Sequence, residues 1–307
     1  MLEQDHTRVG TGRLTVGNPA PRFTLPDTDG SPIGLQPAAH EATVVVFTSS
    51  GCPFALAWHD RLQAVARDHA SRDVAFLQVV SNDDADHPED SLEGMRRRVA
   101  AGELAGPFLR DADQAVGQAY GATATPEVFV VDRAGLVRYH GAPDADHDDP
   151  AQDAAWLREA LEDVLAGRDV ARPLTSPAGC SVTWRVELLW WAGCPTHDRA
   201  ADLLRQTLAG LGRDEVRVVE REVRTREEAT QLAFPGSPTF QVGRRDLFPV
   251  ATPPALTCRV YAREDGRSSP LPDGAELAGR LRAALARPWD LPHWVDPRKP
   301  APADSPS

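Results

Sequence analysis

Apolar and polar positions alternate in blocks along the first 170 or so residues of the chain. Continuous apolar runs of strand length are followed by segments in which apolar residues recur at helical spacing. Strands are predicted at 43–49, 73–81, 127–132 and 136–140, and helices at 53–70, 88–101, 113–119 and 152–167. The apolar face of the first helix consists of Phe54, Trp58, Leu62 and Val65. This order predicts a compact α/β architecture with helices layered on a sheet.

The same pattern starts again near residue 185. Strands are predicted at 185–191, 215–223, 238–243 and 257–264, and helices at 195–212, 226–233 and 275–286. The chain is therefore predicted to form two tandem domains, each a central mixed sheet flanked by helices. Their predicted bounds are 1–180 and 184–287, followed by a Pro-rich, disordered tail over 288–307.

Charge and composition narrow the classes of partner. The formal net charge of −12 argues against nucleic acid and anionic membranes as partners. No N-terminal apolar signal region is seen, so we expect a cytoplasmic protein. The sequence has no glycine-rich phosphate loop or dinucleotide fingerprint, so no cofactor is expected. The acidic stretches at 82–90 and 144–150 are interpreted as solvated loops rather than as cation sites.

A Gly-Cys-Pro triplet stands at the first strand-to-helix turn of each predicted domain. The cysteines are Cys52 and Cys194. A sulfur at a helix N-terminus lies near unpaired N–H groups and the positive end of the helix dipole, which favour the thiolate. The proline opens the helix without removing a needed hydrogen-bond donor. The two triplets therefore predict two activated thiols, against the alternative of two buried cysteines that only fill space.

The first domain resembles redoxin domains of the peroxiredoxin and thiol-reductase type. The resemblance rests on "GNPAPRFTLPDTDGSPIGL" at 17–35 and "ATPEVFVVDRAGLVRYHG" at 124–141, and it extends over about 14–184. It implies a thioredoxin-like fold, with Cys52 as the active thiol and Pro126 as a cis-proline facing it. It also implies antioxidant or thiol–disulfide redox activity.

Two departures from the family pattern concern the chemistry at Cys52. Ala55 stands where thioredoxins have a second cysteine, so an intradomain partner for Cys52 would have to be Cys180; the alternative is an external thiol. The peroxiredoxin proline and threonine positions hold Val45 and Ser49. Ser49 could still donate a hydrogen bond, but the peroxide pocket of the family is incomplete.

The second domain is similar to small thioredoxin-like proteins with a Gly-Cys-Pro-x-His turn, over about 185–287. The resemblance implies that Pro238 is a cis-proline. Three alternatives remain for His197: it activates Cys194, it binds a soft metal together with Cys194 and Cys258, or it is a surface residue. A disulfide between Cys194 and Cys258 is a further possibility.

These patterns together predict a thiol-dependent oxidoreductase in which the Cys52 thiolate attacks a disulfide or a peroxide. The expected partners are a protein or low-molecular-weight thiol reductant and a peroxide or disulfide substrate. Two alternatives from other classes are a redox-inert binding module with a thioredoxin-like fold and a protein that handles soft metals or organomercurials.

Overall fold

The structure is a computed structural model that describes residues 14–85, 87–213, 216–263 and 266–287. The predicted disordered tail lies outside these residues. The chain divides into two compact units, the first reaching to Asp111 and resuming at Ala119–Val182, the second made of Ala112–Gln118 and Thr183–Arg287. None of the described helices combines the length and apolar character needed to cross a membrane.

The first unit is built on a five-stranded mixed sheet. The strands of the whole unit, in chain order, are β1 (Thr24–Pro26), β2 (Pro32–Gly34), β3 (Ala42–Phe47), β4 (Val74–Val80), β5 (Phe108–Arg110), β6 (Ala124–Thr125), β7 (Glu127–Asp132), β8 (Val137–Gly141) and β9 (Cys180–Ser181). The helices are α1 (Pro53–Ala57), α2 (His59–His69), α3 (Leu92–Ala100), α4 (Ala115–Tyr120), which crosses the division between the units, and α5 (Ala155–Leu165), with short 3-10 turns at Pro37–Ala39, Ala70–Arg72 and Pro88–Asp90.

The order of the main sheet is β5-β4-β3-β7-β8, and β6 pairs separately with β9. Strand β3 is parallel to β4 and antiparallel to β7. The predicted mixed α/β fold is therefore confirmed for this unit.

The core of the first unit forms where β3 is covered by helices on one face. All six residues of β3 are buried, and alternate side chains, Val44 and Val46, pack with Trp58 of the helical segment. Burying apolar surface of this kind is the main favourable term in folding. The predicted helix over 53–70 is interrupted at Trp58, which ends α1 and starts α2.

The second unit repeats the arrangement on a smaller scale. Its strands are β10 (Val186–Trp190), β11 (Val218–Glu222), β12 (Thr239–Val242), β13 (Arg245–Asp246), β14 (Tyr261–Ala262) and β15 (Ser268–Ser269), and its helices are α6 (His197–Gly210), α7 (Arg226–Gln231) and α8 (Gly274–Ala284). Its sheet has the order β11-β10-β12-β13. As in the first unit, the central strand has one parallel and one antiparallel neighbour.

Two details of the second unit differ from the sequence prediction. The strand predicted at 257–264 is wrong in extent, because within the described part of it, 257–263, the strand is limited to Tyr261–Ala262. The segment Ala112–Gln118, placed by the prediction in the first domain, belongs to the second unit. The Gln114 amide explains this: its oxygen accepts from Arg185 N–H at 2.7 Å, and its nitrogen donates to the Thr183 carbonyl at 2.8 Å.

A buried carboxylate, Asp144, ties the first unit together beneath α2. It accepts hydrogen bonds from Trp58 Nε1 at 2.6 Å, Ala154 N at 2.9 Å and Arg61 at 3.0 Å. The Asp144 side chain is fully buried and that of Arg61 is 13% exposed. The interpretation of 144–150 as a solvated loop is therefore wrong for its first residue.

Replacing Asp144 by alanine should destabilise the first unit strongly. The change leaves the Arg61 guanidinium and the Trp58 N–H without their carboxylate acceptor. Breaking a buried ion pair lowers the free energy of unfolding by about 3–5 kcal/mol. Hydrogen exchange of the β3 and β7 amides under increasing urea measures this loss in the first unit alone. Asp148→Ala is the control, since its side chain is 80% exposed, and we expect a change within about 0.5 kcal/mol. Equal effects of the two substitutions would contradict this role for Asp144.

Candidate active site

Cys52 lies where the loop after β3 enters α1. It is the N-cap residue of that helix, in an extended conformation, with Pro53 at the first helical position. The sequence prediction for this turn is confirmed. The Glu89 side chain packs over Gly51 and would have to move if this position carried a Cβ.

Opposite Cys52 lies the loop that joins β6 to β7. The Thr125–Pro126 peptide bond is cis, as predicted. The Cys52 sulfur lies 2.9 Å from the Thr125 carbonyl oxygen, to which the protonated thiol donates a hydrogen bond.

The same loop carries the second cysteine to the site. β6 and β9 pair antiparallel, with Thr125 opposite Cys180. A Cβ on the neighbouring Gly179 would lie 2.2 Å from the Thr125 carbonyl oxygen, so only glycine permits this close approach of the two backbones. Because the Thr125 carbonyl oxygen also contacts the Cys52 sulfur, this pairing brings Cys180 to the same side of the site as Cys52. The suggested partner of Cys52 is therefore brought to it, and both residues are free thiols.

The surroundings of Cys52 favour its thiolate. The hydrogen bond from the Cys180 thiol makes the largest contribution and lowers the pKa of Cys52 to about 6, although burial acts in the opposite direction. The Thr125 hydroxyl, buried and without another partner among the described residues, lowers it further. The main-chain N–H groups of Ala55 and Cys180 also lower the pKa of Cys52. The Cys52 side chain does not, however, form a capping hydrogen bond to the helix. The same hydrogen bond, with burial, raises the pKa of Cys180 far above its ordinary value.

A fully buried carboxylate, Asp90, holds the loop that leads to Cys52. It accepts hydrogen bonds from the Ser49 hydroxyl at 2.7 Å, the Ser50 N–H at 2.5 Å and Asn82 Nδ2 at 2.8 Å. The Ser49 hydroxyl also accepts from the Gly51 N–H at 3.2 Å. These bonds correct two expectations. Ser49 is 1% exposed and donates to Asp90 rather than toward a peroxide, and the 82–90 stretch is not simply a solvated loop.

A second buried carboxylate, Glu127, holds the cis-proline loop from the other side. It accepts from the main-chain N–H groups of Thr123 at 2.6 Å and Ala124 at 2.9 Å, and it contacts the buried His140 ring. Neither Asp90 nor Glu127 was singled out by the sequence analysis. The available signal for Glu127 was its position directly after Pro126.

The second unit has a related arrangement around its own cis-proline. The Ser237–Pro238 bond is cis, as predicted. Ser237 forms an isolated bridge with Cys258, in which the Ser237 N–H donates to Thr257 O and the Arg259 N–H donates to Ser237 O, both at 2.8 Å. Cys258 is exposed and free, and Cys194 is also a free thiol. The disulfide suggested between them is absent from this structure.

The turn before α6 differs from the prediction. The helix begins at His197 with Thr196 as its N-cap, so Cys194 precedes the cap by two residues and Pro195 is not the first helical residue. The turn wraps around Trp191, whose ring occupies the space over Gly193. The Cys194 sulfur lies 3.4 Å from the Thr196 hydroxyl.

The contacts of His197 lie away from Cys194. Its Nε2 is 2.6 Å from a Glu220 carboxylate oxygen, and its ring stacks on Trp190 at 3.9 Å. None of these contacts supports the alternative in which His197 activates Cys194. The suggested soft-metal set with Cys258 is not assembled either: among the described residues, the one group of three or more possible ligands within 4.8 Å of one another is Asp146, His147 and Asp148.

Comparison with known proteins agrees with the fold of the first unit. The sequence model of the Redoxin family matches residues 15–155. This part of the chain is a redoxin domain with a thioredoxin-like fold. The matched residues include Cys52 and Pro126, whereas Cys180 lies beyond the match.

Two solved structures are similar to the chain. A hypothetical protein from Sinorhizobium meliloti 1021 is 35% identical, with 56% of this chain and 95% of that one covered and a TM-score of 0.53. An uncharacterized conserved protein from Geobacillus kaustophilus is 31% identical, with 56% and 93% covered and a TM-score of 0.53.

A curated relative has a name that refers to thiol chemistry. The thiol:disulfide interchange protein DsbE of Allochromatium vinosum is 29% identical over 126 residues, which cover 40% of this chain and 65% of the relative. The match thus spans slightly less than two thirds of the relative's length.

The pH dependence of Cys52 alkylation tests the electrostatics of the redoxin domain. A pKa of about 6 leaves roughly ten thiolates per thiol at pH 7. The rate of Cys52 alkylation by iodoacetamide, measured by peptide mass spectrometry, should therefore rise with pH with a midpoint near pH 6. Cys180→Ala removes the strongest donor and should move the midpoint upward. Cys180→Ser keeps a hydroxyl donor and should move it less. A midpoint unchanged by Cys180→Ala would contradict the assigned hydrogen bond.

Proposed function

We propose that the redoxin domain is a thiol–disulfide oxidoreductase in which Cys52 attacks and Cys180 resolves. The observation that carries this proposal is the β6–β9 pairing, which places Cys180 opposite Thr125, whose carbonyl oxygen lies 2.9 Å from the Cys52 sulfur. The Cys180 thiol lowers the pKa of Cys52, so that Cys52 is an ionised nucleophile at neutral pH. The same thiol is placed to attack the Cys52 sulfur in the second step. A redox-inert binding module would require neither feature.

The contacts of the pair also set the order of the two steps. While Cys52 is a thiolate, its charge and its hydrogen bond hold the proton on Cys180. Once Cys52 has formed a mixed disulfide, that charge is gone and so is the main cause of the raised Cys180 pKa. Cys180 then ionises more readily and attacks the Cys52 sulfur, which releases the bound group as a thiol.

Two further observations support disulfide chemistry over peroxide chemistry. The Ser49 hydroxyl, the candidate donor to a peroxide, is engaged with Asp90 and buried. The relative from Allochromatium vinosum is named for thiol:disulfide interchange, and we extend that chemistry to this chain as part of the proposal. The second substrate would be a protein or low-molecular-weight thiol that returns the pair to the reduced state.

Cysteine variants of the full chain test the proposal with hydroxyethyl disulfide as oxidant. The wild-type protein should lose two thiols for each disulfide reduced and form a Cys52–Cys180 bond, seen by peptide mapping. Cys180→Ser should stop at a mixed disulfide on Cys52. Cys52→Ser should react at least about tenfold more slowly, because Cys180 without the Cys52 charge has an ordinary thiol pKa and is mostly protonated at neutral pH.

Cys258→Ser is the matched control, since it removes an exposed thiol from the second unit. It should leave the formation of the Cys52–Cys180 bond unchanged. Stable mixed disulfides on wild-type Cys52 would show that Cys180 does not resolve it. Equal reactivity of Cys52→Ser and the wild type would remove the proposed role of Cys52.

A further inference from the structure

We propose that Cys52 acts on small, non-peptide disulfides, because a segment of the chain itself occupies the position where an extended polypeptide disulfide would pair. This inference rests on the proposed function and narrows its substrate class. The segment comprises residues 173–182 and carries Cys180; it is called the crossing segment below.

The crossing segment fills the strand edge beside the cis-proline. Its end pairs antiparallel with β6, Ser181 lying opposite Ala124 and Cys180 opposite Thr125. The Val182 N–H extends the ladder by donating to Thr123 O at 3.1 Å. Extended peptides bind sheet edges through unpaired main-chain groups. The main-chain groups of β6 already bond to the crossing segment, and Cys180 occupies the position opposite Thr125 in which we propose that the cysteine of an extended substrate would lie.

The other end of the crossing segment is anchored to β8 and the turn after it. The His140 N–H donates to Pro173 O and the Thr175 N–H donates back to His140 O, both at 3.0 Å. The buried Thr175 hydroxyl accepts from the Ala142 N–H at 3.0 Å. A Cβ at Gly141 would lie 2.0 Å from that hydroxyl oxygen. The segment is thus held closely at both ends.

The exposure of the reacting thiols indicates the size of molecule that reaches them. Cys52 is 4% exposed, since the crossing segment and the cis-proline loop cover it. Cys180 is partly exposed. A disulfide flanked by short, flexible groups can bring one sulfur to Cys52 through a narrow approach. A disulfide within a folded polypeptide brings its backbone with it and meets the crossing segment.

The reaction balances within the pair and the substrate. The Cys52 thiolate forms a bond to one sulfur of R–S–S–R, the substrate bond breaks, and R–S⁻ leaves and takes the proton of Cys180. The Cys180 thiolate then attacks the Cys52 sulfur, and the second R–S⁻ leaves and is protonated from water. The substrate gains two electrons and becomes two thiols, while the two cysteines become one disulfide. A low-molecular-weight thiol restores them by attack at the partly exposed Cys180.

The test compares two substrates on the reduced, full-length chain. Rate constants are measured with hydroxyethyl disulfide and with insulin, and each is divided by the rate constant of dithiothreitol with the same substrate. We expect the normalised value for hydroxyethyl disulfide to exceed that for insulin by at least tenfold. Equal normalised values would overturn the inference and leave the proposed function standing. Failure to react with either substrate would overturn both.

A variant that displaces the crossing segment tests the cause of the selectivity. Gly179→Ala places a Cβ against the Thr125 carbonyl and should separate β9 from β6. The insulin rate, relative to the hydroxyethyl disulfide rate of the same variant, should then rise severalfold. Gly279→Ala is the control, because a Cβ there meets no atom within 4 Å and the relative rate should not change.

Thr175→Ala supplies the same comparison if Gly179→Ala does not fold. It removes the hydroxyl that accepts from Ala142 and leaves both cysteines and the β6–β9 pairing residues in place. The relative insulin rate should again rise. An unchanged relative rate in the folded variant would show that the crossing segment does not exclude polypeptides, and would overturn the inference.

Discussion

In the redoxin domain, the interaction of the Cys180 thiol with the Cys52 sulfur decides which of the two cysteines is ionised. With Cys180 as donor, Cys52 holds the negative charge and Cys180 holds the proton. The surrounding structure keeps the two sulfurs in contact: Asp90 holds the loop before Cys52, and Glu127 holds the loop that pairs with Cys180. Both carboxylates are buried and accept main-chain N–H groups, so each converts a flexible loop into a fixed one.

The pairing of β6 with β9 serves two purposes at once. It brings Cys180, the proposed resolving thiol, toward Cys52, and it occupies the edge of β6, on which we propose that an extended polypeptide would otherwise dock. A thioredoxin-like site with its second cysteine on the helix would leave that edge open. In this chain Ala55 takes the place of that cysteine, and the crossing segment supplies Cys180 at the β6 edge instead. The second unit also bridges a cysteine to the residue before its cis-proline, but through an isolated bridge and with Cys258 exposed.

Local sequence signals predicted the parts of the site that depend on neighbours in the chain. The apolar run before Cys52 and the proline after it were read from the local pattern, the two cis-prolines were implied by the family resemblances, and all of them agree with the structure. The sequence limited the intradomain partner of Cys52 to Cys180 but could not place it, because that contact depends on backbone pairing over more than 50 residues and on the space left by Gly179. Asp90 was missed because an acidic run gives no sign of which carboxylate turns inward. The sequence left three alternatives open for His197, because its partner Glu220 lies on a strand 23 residues away.

A crystal structure of the full chain, oxidised with hydroxyethyl disulfide, tests the central claim most directly. The account predicts a bond of about 2.05 Å between the sulfurs of Cys52 and Cys180, with Thr125 still opposite Cys180 in the β6–β9 pair. A structure in which Cys52 is oxidised while Cys180 remains a distant free thiol would contradict it.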